Sequence, residues 1–95
     1  SLEKTAIQML KFTNVIDSYK ADNDTDKLFG EQQFVRKKMD EISKEIQQLE
    51  NNLGFFSNAK KDNPLVKNVR NQVEQYKNEL LLWKLKNEYI KKLEF

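Results

Sequence analysis

The stretch Ala21-Asp22-Asn23-Asp24-Thr25-Asp26 places carboxylates at alternate positions, which is how an EF-hand loop begins to wrap calcium in oxygen ligands. Counted from Asp22, the sixth position is Lys27, where such a loop needs glycine to turn the chain. The twelfth is Gln33, an amide where a bidentate carboxylate is required. The pattern therefore reads as a polar loop that caps a helix, with Asp26 capping from Lys27, or Gly30 serving with Glu31 in the first turn. Histidine and cysteine are absent from the chain, which removes an imidazole acid–base group, the usual zinc ligands and any disulfide. The glutamates fall on polar faces beside lysines, as surface ion pairs do, and a narrow helical hairpin offers no cleft to shift their pKa. No catalytic residue, metal or cofactor is expected.

Clustered lysine and arginine could instead meet phosphates. Arg36, Lys37 and Lys38 form one such cluster, and Lys60-Lys61 and Lys91-Lys92 are further pairs. Asp40, Glu41, Asp62 and Glu94 interleave with them, and the whole chain balances 17 basic residues against 15 acidic. From Pro64 onward seven basic residues face four acidic ones, an excess of only +3. Solvated surface is the favoured reading of these clusters, and contact with nucleic acid the less favoured one.

These side chains must be carried by long helices. Val66, Val69, Val73, Tyr76, Leu80, Trp83, Asn87 and Ile90 recur at alternating steps of three and four from Pro64 to the end. Val35, Met39, Ile42, Ile46, Leu49 and Leu53 do the same in a helix predicted over about 27–53. Asn63-Pro64 supplies an N-cap and a first-turn proline for the last helix, predicted over 64–94. The connection 57–63 is short enough that the two matching seams imply an antiparallel helical hairpin. Gly54 is expected to end the earlier helix in a Schellman turn, folding Phe55 back toward Leu49. An exposed Phe55-Phe56 anchor for a partner is the less favoured alternative. Residues 2–20, with Leu2, Ala6, Met9, Leu10, Thr13, Ile16 and Tyr19 in phase, read as a first helix followed by a loop over 21–26. The fold class expected is all-α, a coiled-coil-like three-helix bundle in one domain.

Pairing Leu53 with Val66 sets Val35 opposite about Lys84, so the last turns of the final helix are expected to overshoot the second. Those turns carry Leu81, Leu82, Leu85, Tyr89 and Leu93 off the first seam. A helix apolar on two sides has two neighbours. The first helix is one occupant for this second face, and a protein partner holding Leu82, Leu85, Tyr89 and Leu93 is the other. Asn87 breaks the seam between Trp83 and Ile90, and a polar residue at such a place can fix register or oligomeric state. If the helix overshoots, Asn87 simply meets water, which is the favoured reading. Trp83 reads as a core residue with its indole N–H at the edge rather than a stacking platform.

The run Gln48-Leu49-Glu50-Asn51-Asn52-Leu53-Gly54-Phe55-Phe56-Ser57-Asn58-Ala59, followed by Asn63-Pro64-Leu65-Val66-Lys67, resembles the C-terminal helical region of bacterial proteins carrying the domain of unknown function 349. The likeness covers about half the chain well and Phe34 to Asp40 loosely, and the family's tryptophan- and phenylalanine-spaced repeat is not seen. It implies a tail module of a larger, cytoplasmic, mostly helical protein and assigns no catalytic residue. A first residue of serine fits an excised fragment, and no apolar run approaches the ~20 residues of a membrane span. The function expected is a non-catalytic interaction or structural module that binds a protein partner, the remainder of its parent or a second copy. An accessory RNA- or ribosome-binding module is the alternative.

Overall fold

A computed structural model describes residues 2–56, 62–93 and 95. Three α-helices follow one another: α1 (Leu2–Ala21), α2 (Thr25–Gly54) and α3 (Pro64–Lys91). The expectations for 57–61, Lys60 and Lys61 among them, and for Glu94 lie outside the described residues.

The acidic segment works as punctuation for two helices at once. Asn23 takes φ 54°, the left-handed region that asparagine tolerates better than most residues. Its N–H donates to the Lys20 carbonyl at 3.0 Å, and the Asp24 N–H donates to that of Tyr19 at 2.9 Å. These two bonds make a Schellman ending for α1. Asp24 then caps α2, its Oδ1 accepting from the Lys27 N–H at 3.1 Å. The second helix therefore starts at Thr25, earlier than expected, and the cap is Asp24 rather than Asp26 or Gly30. Leu28, left out when the seam is counted from Val35, joins it one heptad earlier.

The antiparallel hairpin is present, and α2 packs on α3 more extensively than either packs on α1. Near the connection, Ile42, Ile46 and Val73 are buried, with Leu49, Leu53, Val69, Tyr76, Leu80 and Trp83 against them. At the open end Ile16, Leu28, Val35 and Ile90 bury together, joined by Phe12, Tyr19, Met39, Tyr89, Leu93 and Phe95. Two helices thus make the tip, and three make the base, along a body of 56 × 25 × 15 Å.

Two helix ends differ from expectation. Gly54 is still helical and has no positive φ, and Phe55 follows it with φ −72° and ψ −16°. The chain leaves α2 along a helical path, which keeps Phe55 on the outer face at 85% exposure and leaves Phe56 half-buried. The Schellman turn that would have folded Phe55 onto Leu49 is not formed. The third helix stops at Lys91, short of 94, because Leu93 and Phe95 turn back onto the core. The Phe95 ring meets Phe29 edge-on at 5.0 Å between centroids.

The junction can be tested directly. Asn23→Ala keeps a β-carbon in the left-handed region but loses the short polar side chain that eases it there, and should cost about 1 kcal/mol in denaturant titration, whereas Asn23→Gly should be neutral or stabilising. Asp24→Ala should cost about 1 kcal/mol through the lost cap.

Candidate interaction surface

Helix α1 lies parallel to α3. Leu2 and Thr5 share an open cleft with Asn78 and Leu81, Phe12 reaches Lys86, and the Tyr89 hydroxyl donates to an Asp17 carboxylate oxygen. Tyr89 and Leu93 pack on the cluster around Ile16, and Leu82 is half-buried in a cleft of about 360 Å³ with Lys4, Thr5 and Gln8. Of the face formed by Leu82, Leu85, Tyr89 and Leu93, Leu85 is the most exposed, at 42%. The first helix is the occupant of that face.

The Trp83, Asn87 and Ile90 positions are brought together, but not as the overshoot implied. Ile90 is fully buried against Leu28 and Ile16, since the seam of α2 runs back to Leu28 rather than stopping at Val35. Asn87 is half-buried, and its Oδ1 is closed off from solvent with no hydrogen-bond partner among the described residues. It does not meet water through that atom. An acceptor left unsatisfied in this way costs roughly 1–3 kcal/mol.

Around Trp83 runs a ladder of rings and ammonium groups that crosses all three helices. Lys38 Nζ sits 5.5 Å from the Phe34 ring centroid, and Phe34 meets Trp83 edge-on at 5.7 Å. Lys86 Nζ lies over Trp83 at 4.2 Å and over Phe12 at 5.3 Å. An ammonium between two ring faces is attracted by both quadrupoles. Burial there lowers the Lys86 pKa below the ordinary lysine value, and the Glu31 carboxylate opposes part of the fall. The Phe34–Lys38 and Trp83–Lys86 spacings were visible in sequence as helical neighbours. Phe12 was not, because it arrives from another helix.

Arg36 and Lys37 are exposed, while Lys38 is engaged by Phe34 and by Glu41 at 3.8 Å. Lys91 faces Glu88 at 3.7 Å. Among the described residues no group of carboxylate, histidine or cysteine side chains could hold a metal ion, and no helix is long and apolar enough to cross a membrane.

Two measurements follow from this geometry. Asn87→Leu should stabilise the fold by about 1 kcal/mol, since it replaces an unsatisfied acceptor with apolar contact. The Asp17 hydrogen bond raises the Tyr89 pKa above its ordinary value, with burial and the Asp17 charge acting the same way. The folded chain therefore holds that proton more tightly than the unfolded one, so the bond stabilises below the ordinary phenol range and is lost as pH rises through the raised value. Lys86 acts in the opposite sense, because its cost is relieved as pH rises through the lowered value. Tyr89→Phe should lose about 0.5–1 kcal/mol at neutral pH, and the gap should close in strong alkali. No family model matches the chain, and no curated protein or solved structure shows significant similarity to it.

Proposed function

We propose that the chain is a non-catalytic helical interaction module of a larger cytoplasmic protein, and that it holds a protein partner or another part of its parent. The observation that carries this reading is apolar surface left over on α3 after both neighbours have packed. Leu81 and Leu85 stay 56% and 42% exposed one turn apart, and Leu2 of α1, 91% exposed, opens onto the same cleft as Leu81. Contiguous apolar surface of this kind marks interaction sites more often than scattered single residues do. The resemblance of the Leu49–Lys67 region to the tail of proteins with the domain of unknown function 349 agrees with a module carried at the end of a longer chain. Accessory RNA binding has weaker support, because Lys38 of the Arg36–Lys38 cluster is already engaged within the fold.

A photo-crosslinking amino acid at Leu85 tests the reading in cells that make the protein. Discrete protein adducts are expected, and Leu81→Glu should abolish them while circular dichroism shows the helices intact. Adducts to RNA alone, or protein adducts indifferent to Leu81→Glu, would overturn it.

A further inference from the structure

We propose that the flank of the α2–α3 hairpin opposite α1 docks an acidic amphipathic helix; this rests on the interaction-module reading and names the chemistry of the partner. Arg70, Lys77, Lys84 and Lys91 follow one another at seven-residue intervals and all are exposed, so they form one row along α3 with about 10.5 Å between members. Lys91 has Glu88 beside it, whereas Arg70, Lys77 and Lys84 make no ion pair with a described residue. The row borders a groove of about 420 Å³ whose floor is Ile46 of α2 with Leu80 and Leu81 of α3, and whose rim carries Lys77 and Lys84.

The opposite rim does not neutralise that charge. In the antiparallel register the matching row of α2 reads Arg36, Ser43 and Glu50, which sets serine and arginine, not acids, across from Lys77 and Lys84. A partner must therefore bring apolar side chains for the floor and carboxylates for the rim. A helix supplies both, because apolar residues at three- and four-residue steps are flanked by positions that repeat every seven. A phosphate chain fits less well. Its charges follow at much shorter intervals than this row, and it has nothing to place on isoleucine and leucine. A second copy of this chain fits less well again, since the net charge is +2 and none of the three helices carries two acids seven residues apart.

The test uses the whole chain and a synthetic helical peptide of three heptads, with leucine on one face and glutamate on both flanks. A twin carries lysine in place of glutamate. Fluorescence anisotropy at low salt should show the acidic peptide binding at least about tenfold more tightly than its twin, with affinity falling as salt rises. Amide chemical shifts should move at Ile46, Leu80 and Leu81. Lys77→Glu combined with Lys84→Glu should reverse the preference between the two peptides, and both sites are exposed enough for the fold to survive. Equal affinities, no binding of the acidic peptide, or shifts confined to the α1 side overturn the proposal, as does tighter binding of a single-stranded RNA oligonucleotide. Peptide failure with the Leu85 adducts intact removes the acidic-helix proposal alone. Peptide binding without adducts removes the cellular reading and leaves the chemistry of the groove standing.

Discussion

The contact of Ile16 with Leu28, Val35 and Ile90 is where three helices become one structure. Ile16 is the single fully buried residue of α1, and fully burying such a side chain contributes roughly 1.5–3 kcal/mol. Helices of 28 and 30 residues do not stand alone in water by propensity, so α2 and α3 depend on each other's seams. The first helix depends on less. It is held by Ile16, by Phe12 and Tyr19 beside it, by the Tyr89–Asp17 hydrogen bond and by a connection only three residues long. The short connection does much of the work, because a tethered helix loses little further freedom when it docks.

Polar groups sit close to this core and weaken it. Asn87 shares a seam with Ile90 yet leaves a carbonyl oxygen unbonded, and Lys86 enters a space between two rings at the expense of its hydration. In an intermolecular coiled coil such an asparagine can fix register. In a hairpin the covalent connection already restricts the register, so Asn87 adds cost with less to offset it. Lys86 is better compensated, since ring faces and the Glu31 carboxylate replace part of the lost water.

Most of the architecture was legible in the sequence, because the seams of α2 and α3 are unbroken in phase and Asn63-Pro64 marks a boundary that steric rules enforce. Three features were not legible, each for a physical reason. The start of α2 was hidden by a run of acids, any of which can cap, and the choice fell to Asn23 taking a positive φ. Gly54 is permitted a left-handed turn but is not obliged to take one, so its presence did not fix the direction of Phe55. Asn87 was read as wet because the register was counted from Val35. Leu28 extended the seam one heptad further. The aromatic–ammonium ladder was only half visible, since its Phe12 rung comes from another helix and no local spacing announces it.

Each helix of a three-helix bundle has two neighbours and one flank left for solvent. On α3 the flank toward α2 is filled by Val66, Val73 and Ile90, and the flank toward α1 holds Leu82, Tyr89 and Leu93. Leu81 opens onto the third, with only the first turn of α1 at its edge. Its side chain is 56% exposed, so under half of its apolar area can contribute to folding, and a lysine or glutamate would serve a solvent-facing helix position as well. The same holds for Lys77 and Lys84 beside it, which face serine and arginine rather than acids on α2. A leucine and two unpaired lysines on a flank that the fold does not use are not required by the stability of this chain. What they have in common is a surface that would be complete only with apolar and negative groups laid against it.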